Sequence, residues 1–342
     1  MRIGFLINDV ATELPTYTTV ALMRAARRRS HAAYVIGTGD FVYERGRVCA
    51  WAREAPDAGD SPEAFLAALR SGSPAVRVTV DDFDVLLLRN NPYDDLPERP
   101  WAAQVGLVFG DEAKRHGVLV LNDPQGLAHA LNKLYLEQFP AAIRPASLVT
   151  RHVEDVRAFV REHGTVVVKP LNGSGGRGVF VVRADDADNF HQILEAVGAY
   201  GYLVVQEYLP AAREGDVRLL LLNGRLLEKD GRVAAMRRVS GNGDLRNNVA
   251  AGGIVKPVNV DDTMRELAEL ARPRLIQDGM WLVGLDVVGD KIMEVNVFSA
   301  GGLVSTSAFA GIDFASMVIE DLERKIAHAS MGKFDNRLLA CL

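Results

Sequence analysis

A chain of 342 residues that is 48% hydrophobic and 24% charged has the composition of a soluble globular protein and room for two or three domains. Its net charge of -5 excludes a general attraction to nucleic acid or anionic membrane, and no apolar run approaches the roughly 18 residues of a membrane span. Cys49 and Cys341 form no disulfide framework or metal spacing, and MRIGFLINDV reads as a first strand and not as a signal peptide, so a cytoplasmic protein is expected.

Strand and helix alternate over residues 1–123. RIGFLIND, AAYVIG, FDVLLLR and HGVLVLND read as strands, and TTVALMRAARRR and AAQVGLVFGDEAKR as helices. That alternation predicts an α/β domain with a doubly wound parallel sheet, whose ligands gather at the carboxyl ends of the strands. The basic run Arg24, Arg27, Arg28 and Arg29 closes a helix, where cations favour the dipole. Arg89 stands at a strand end, followed by Asn90, Asn91 and Pro92; it is either part of a turn or a fork for a substrate carboxylate.

A second unit, residues 124–208, opens with the helical LNKLYLEQF after Asp123-Pro124. It continues as a strand, the helix EDVRAFVREHG, a hairpin, the helix ADNFHQILEAVG and the strand YLVVQEYL, an α+β lid-like subdomain. The third unit, residues 209–342, is strand-rich: GDVRLLLL, an Asn223-Gly224 turn, GRLLEK and VAAMRRVS. The polar loop GNGDLRNNVAAGG follows, long enough to close over a charged ligand, and then a helix that Asp261 opens and Pro273 should kink.

Within the lid, VVVKPLNGSGGRGVFVV fits neither familiar phosphate loop. Lys169 precedes Gly173, Gly175, Gly176 and Gly178, whereas a P-loop lysine follows its glycines, and the β-branched VFVV predicts a strand where a Rossmann fingerprint needs a helix. What is left is a hairpin whose glycine turn can fold over phosphates and offer backbone N–H groups, or an ordinary glycine-rich turn.

VGLDVVGDKIMEVNVF carries a further signal. Side chains alternate along a strand, so turn length decides which residues meet. A three-residue turn, Gly289 to Lys291, sets Asp286 opposite Glu294 and Asn296 opposite Gly284, and segregates the apolar residues to the other face. Opposed carboxylates repel, and a hard divalent cation held by Asp286, Glu294 and Asn296 would remove the repulsion.

In this order and spacing, KPLNGSGG, QEYLP, GDVRLLL, RNNVAAGG and GLDVVGDKIMEVNV resemble the ATP-grasp ligases, and among them the bacterial glutathione synthetase family, over nearly the whole chain. The resemblance implies an N-terminal substrate domain followed by a two-subdomain ATP-grasp fold. It implies ATP and Mg²⁺, two ions, with Mn²⁺ as a substitute. Lys133 and Lys169 would reach the α- and β-phosphates, with Gly173, Ser174, Gly175, Gly176 and Gly178 closing over them. Gln206, Glu207, Tyr208, Leu209 and Asp216 would hold adenine and ribose. Arg218, Arg238, Arg246 and Asn248 would stabilise the transferring phosphoryl group, and Asp286, Glu294 and Asn296 would bind the metal. Arg89, Asn248, Ser299, Gly301 and Gly302 would meet the acid or amine substrate.

The implied chemistry joins a carboxylate to an amine through an acyl phosphate, γ-glutamylcysteine with glycine being the first expectation, in a homodimer or homotetramer. Two segments depart from the family: Asn90-Asn91-Pro92 where Arg-x-Asp-Pro is usual, and Phe298-Ser299-Ala300-Gly301-Gly302 where Ser-Pro is usual. They bear on the identity of the substrates, not on ATP. The alternatives are a ligase for a different acid and amine, a small-molecule kinase, and a non-catalytic nucleotide-binding module.

Overall fold

The computed structural model describes residues 1–59, 61–72, 74–173, 175–184, 192, 197, 201–239 and 253–329. Arg246, Asn248 and Ser174 lie outside them, as does most of the stretch expected to be the lid's second helix.

The N-terminal sheet has the expected parallel strands Arg2–Ile7, Ala32–Gly37, Val85–Leu88 and Leu119–Leu121, with Arg2–Ile7 between Ala32–Gly37 and Val85–Leu88. It is mixed, however, because Phe41–Glu44, Arg47–Glu54 and Val76–Thr79 extend one edge antiparallel. Arg47–Glu54 alternates exposed and buried residues, so its charged positions face water while Val48, Ala50 and Ala52 are buried. Helices cover both faces. Ile3, Phe5 and Ile7 join one core with Val20 and Leu22 of the Thr18–Arg28 helix and Phe314 and Val318 of the Phe314–Ala329 helix. Leu6, Leu86 and Leu88 face the opposite core with Ala113 of the Val105–Arg115 helix.

The C-terminal sheet runs Ile254–Lys256, Ala235–Val239, Asp216–Leu222, Leu282–Val288 and Lys291–Asn296, all antiparallel. Its two faces merge with the two cores of the N-terminal sheet: Leu219, Leu221, Val283 and Leu285 with that of Leu6 and Leu86, Leu220 and Leu282 with that of Ile3 and Phe5. The lid sheet, Phe180–Arg183, Thr165–Pro170, Leu203–Glu207 and Ser147–Thr150, has a core of its own built on Val156, Val160, Val166, Val168 and Val205. The base is thus packed as one body, and the lid as another.

The helix capped by Asp261 spans Asp262–Gln277 with Pro273 inside it. Two local expectations change. LNKLYLEQF forms a 3-10 segment, Lys133–Gln138, capped by the Asn132 side chain on the Leu134 N–H. The hairpin at residues 286–294 has a two-residue turn, with Val288 opposite Lys291, and Gly289 takes the positive φ of 58° that such a turn asks of its first central residue. A bulge follows, so Val287 pairs with Ile292 and Asp286 still pairs with Glu294. The bulge supplies the extra residue assigned above to the turn. Val287 and Ile292 are thereby buried together, while Met293, Glu294 and Val295 line one cleft, which strict alternation would forbid.

Asn122 ties the base together. Its amide donates to the carbonyls of Leu282 (3.2 Å) and Val297 (2.8 Å) and accepts from the N–H groups of Trp281 (2.8 Å) and Leu282 (3.0 Å). Asn122→Ala strands these buried groups, so we expect a loss of about 3 kcal/mol, read as a lower urea midpoint.

Candidate active site between lid and base

Antiparallel register builds a charged band across the C-terminal sheet. Asp216 lies opposite Arg238, Arg218 opposite Asp286, and Asp286 opposite Glu294. Asp216 and Arg218 share a face by their spacing of two. Arg218 holds Asp286 through Nε and, at 2.9 Å, through Nη2; Arg238 holds Asp216 and reaches Asp286 Oδ2 at 2.7 Å. Asn296 adds a hydrogen bond from Nδ2 to Asp286 Oδ2 at 3.1 Å. Burial disfavours the Asp286 carboxylate, but Arg218 and Arg238 outweigh it and hold its pKa well below the ordinary range. Burial and the Asp286 charge push Asp216 up to about 6 against the pull of Arg238.

Two guanidiniums offset the carboxylate repulsion expected at Asp286. The oxygen donors still fit a hard cation. Glu294 and Asn296 share the Asp286 face, the Asn296 amide oxygen is not the atom bonded to Asp286, and Asp286 Oδ1 accepts only from Arg218 Nε among the described residues.

Above this band, Lys133, Tyr135, Glu137, Lys169, Gln206, Met293 and Glu294 line a cleft of about 390 Å³ including its mouth. Lys169 ends its strand and donates to Gln206 Oε1 at 3.0 Å, while Gln206 Nε2 donates to Ser147 Oγ at 3.1 Å. Lys133 donates to the Gly173 carbonyl at 2.8 Å. Burial lowers the pKa of both lysines, Lys133 to about 8, partly offset by Glu294. Two desolvated ammonium groups face Glu294 and Glu137, and Glu137 is already paired with Arg144, so the site is short of negative charge, which suits a polyanion.

The glycine turn is built as its sequence implies. Gly173, Gly175, Gly176 and Gly178 all have positive φ, from 69° to 131°, and open space surrounds the Cβ positions of Gly173 and Gly175, so backbone freedom is what selects glycine there. Tyr93 and Asp94, which sequence reasoning did not single out, bring the N-terminal domain to this turn. The Gly173 backbone lies close enough to the Tyr93 phenol to act on it, and the Arg177 charge reaches Asp94. Glu207, Tyr208 and Leu209 lie on the connection out of the lid. Glu207 accepts from the Ala146 N–H at 2.9 Å, and Leu209 caps the Pro210–Glu214 turn.

On the other side, the Phe298 to Gly302 segment is held from two directions. Arg218 Nη1 donates to the Gly301 carbonyl (3.2 Å) and Arg89 Nη2 to the Ala300 carbonyl (3.0 Å). Ser299 adopts φ 43° and Gly302 φ 114°, where a Cβ would meet Met236 at 2.8 Å. Asn91, in the other departing segment, caps the short Pro92–Asp95 helix through the Tyr93 N–H, a duty Asn performs as well as Asp.

The cations separate into two kinds. Arg238→Met would leave two buried carboxylates short of a partner, and we expect it to cost about 3–5 kcal/mol. Lys169→Met removes a desolvated charge that bonds only Gln206 among the described residues, so chemical denaturation should show little loss or a small gain while nucleotide turnover collapses.

Comparison with known proteins gives the architecture a lineage. Residues 1–128 match the N-terminal domain of prokaryotic glutathione synthetase and residues 132–311 its ATP-grasp domain. The glutathione synthetase of Gloeobacter violaceus is 34% identical over 94% of this chain and 96% of its own length; that of Ralstonia nicotianae is 33% identical over 97% and 98%. Among solved structures, a D-cycloserine synthetase superposes with a TM-score of 0.64 at 15% identity, covering 94% of this chain and 99% of its own. The D-alanyl-alanine synthetase A of Vibrio cholerae does so at 0.61 and 10%, covering 96% and 99%, which shows a shared fold. With both of its domains matched and relatives aligned almost end to end, the chain belongs to the prokaryotic glutathione synthetase family.

Proposed function

We propose that this chain is an ATP-dependent carboxylate–amine ligase that joins γ-glutamylcysteine to glycine, forming glutathione, ADP and phosphate. The observation that carries this reading is the convergence of Lys133, Lys169 and Glu294 in one cleft, with Glu294 directly across the strand pair from Asp286 of the Arg238–Asp216 and Arg218–Asp286 band. The family supplies the substrates: relatives that align almost end to end are named glutathione synthetases. The enzyme is read as cytoplasmic, and its assembly as a homodimer or homotetramer, which light scattering decides by mass.

Lys133 and Lys169 bind the α- and β-phosphates, and the positive-φ glycine turn covers them with backbone N–H groups. Asp286, Glu294 and Asn296 would hold Mg²⁺, two ions in our reading, which when bound shields phosphate oxygens and orients the γ-phosphoryl group. The substrate carboxylate attacks the γ-phosphorus and ADP leaves. The amine of the second substrate then attacks the acyl carbon, phosphate leaves and the amine gives up a proton. Arg218 and Arg238 lie where negative charge grows in both steps, and the closed lid keeps water from the acyl phosphate. Adenine and ribose are assigned to the connection Gln206 to Leu209 with Asp216.

ADP release is the direct test. It should require γ-glutamylcysteine and glycine together, with a product of the mass of glutathione; release with the acid alone would identify a kinase, and release with another pair a different ligase. Arg218→Lys should lower kcat by about 10²–10³ with the KM for ATP little changed, measured by steady-state kinetics.

A further inference from the structure

Among the described residues, five buried side-chain atoms lack a hydrogen-bond partner: Glu13 Oε2, Arg27 Nε, Asp81 Oδ1, Asn223 Oδ1 and Arg272 Nε. Four belong to side chains engaged elsewhere: Arg27 with Asp57, Asp81 with Arg47, Asn223 with Asp321 and Arg272 with Glu269. Glu13 is different. It is 5% exposed, and its carboxylate makes no bond or ion pair among the described residues. Only its backbone is tied, the carbonyl accepting from Arg70 Nη2 at 2.6 Å.

Its neighbour Arg89 has the complementary deficiency. Arg89 is also 5% exposed, yet it donates to a hydroxyl, Thr19 Oγ1 at 3.3 Å, and to a carbonyl, that of Ala300, and to no carboxylate. The two groups are close enough for each to feel the other's charge. A purely structural pair would close on itself, because an unpaired buried charge is costly. Held apart, the two leave a negative and a positive group both in want of a partner.

Arg89 and Arg218 hold the adjacent carbonyls of Ala300 and Gly301, one Cα step of about 3.8 Å apart. The opposed charges thus flank the cluster assigned to phosphoryl transfer. The lip above Glu13 is the segment before the Thr18–Arg28 helix, where Leu14 and Tyr17 are exposed.

We propose that Glu13 and Arg89 recognise the free amino-acid end of the acid substrate, Glu13 receiving its ammonium group and Arg89 its carboxylate. This rests on the ligase reading above and narrows it. The acid substrate carries an uncapped α-ammonium group, as γ-glutamylcysteine does at its glutamyl end. A site that buries a carboxylate for an ammonium group rejects an analogue lacking it, because the carboxylate is then left unpaired.

The test compares γ-glutamylcysteine with its des-amino analogue, N-glutarylcysteine, under saturating ATP, Mg²⁺ and glycine. Wild-type kcat/KM should be about 10²-fold lower for the analogue. Glu13→Gln should lower kcat/KM for γ-glutamylcysteine by a similar factor, leave the analogue unchanged, and leave the KM for ATP and for glycine unchanged. Equal use of both acids by the wild type, an equal loss on both in the variant, or an effect confined to glycine overturns the proposal.

If neither acid is turned over, the glutathione reading fails on its own. The pair is then tested by thermal shift of the ATP–Mg²⁺ complex with γ-glutamylcysteine and with N-glutarylcysteine, where equal shifts overturn it. Stability provides a second readout. Burial pushes the Glu13 carboxyl from its ordinary 4.5 up to about 7, against the pull of Arg89 and Arg70, with Tyr17 the other titratable group facing it. The folded form therefore binds more protons across that window, and wild-type stability falls as pH rises through it. Glu13→Gln does not titrate, so its Tm should gain on the wild type from pH 5 to pH 8. A variant that melts lower at pH 8 would mark Glu13 as structural and overturn the proposal.

Discussion

Asp286 is a carboxylate buried to 4% exposure, and a buried carboxylate has to be paired or protonated. The fold pairs it. Antiparallel register places Arg218 directly across one strand boundary and Glu294 across the other, and Arg238 reaches in from two strands away. Much of the site follows from this one constraint. Arg218 is fixed by Asp286 and so has its remaining Nη1 free to hold the Gly301 carbonyl, which shapes the loop facing the N-terminal domain. Glu294, with no guanidinium of its own among the described residues, is left to face Lys133 and Lys169. The sheet thus divides its acids into two neutralised in advance, Asp216 and Asp286, and a third, Glu294, that no guanidinium holds among the described residues.

The division of the cores gives this charged floor a fixed half and a separable half. The N-terminal and C-terminal sheets share two apolar cores and the four hydrogen bonds of Asn122, so Arg89, Arg218 and Asp286 hold their spacing. The lid carries Lys169, Gln206 and the glycine turn on a separate core of valines and a leucine. Elements with their own small core open at lower free energy than the body they pack on. Polar contacts cross the gap, among them Lys133 on the Gly173 carbonyl, the Lys133 N–H on the Leu171 carbonyl, and the charges of Asp94 and Arg177. Such contacts exchange readily with water.

The sequence was most legible where period and turn chemistry act locally. The parallel strands, the glycine hairpin and the Asn223-Gly224 turn all follow from alternation or from residues that accept positive φ. Strand parity also found the Asp286–Glu294 pairing, though by the wrong count: the extra residue is a bulge, and turn length and bulge are interchangeable when only parity is known. Arg47–Glu54 was missed as a strand because two arginines and a glutamate mask its alternation. Glu13, Tyr93 and Asn122 were invisible for another reason. Each matters through a partner at least 70 residues away in sequence, Arg89, Gly173 or Trp281, and no local pattern encodes such a contact.

This distribution says where substrate choice can reside. A D-cycloserine synthetase and a D-alanyl-alanine synthetase share the fold at 15% and 10% identity, so the fold by itself does not select a product. In this chain the cations proposed to handle the phosphoryl group, Arg218 and Arg238, sit on paired strands of the shared base, where a change in one disturbs two or three buried charges. The groups proposed to border the acid substrate sit instead on connections: Glu13 before the first helix, Arg89 with Asn90 and Asn91 at a strand end, and Ser299 to Gly302 after the hairpin. Connections tolerate substitution because little else is packed on them. The departures from the family pattern fall on two of these three connections, and the third holds the unpartnered Glu13 carboxylate. Constraint in the sheet and latitude in the loops are then two consequences of the same physics: charge buried in a strand is constrained by its neighbours, and charge at a loop's edge is constrained chiefly by what binds there.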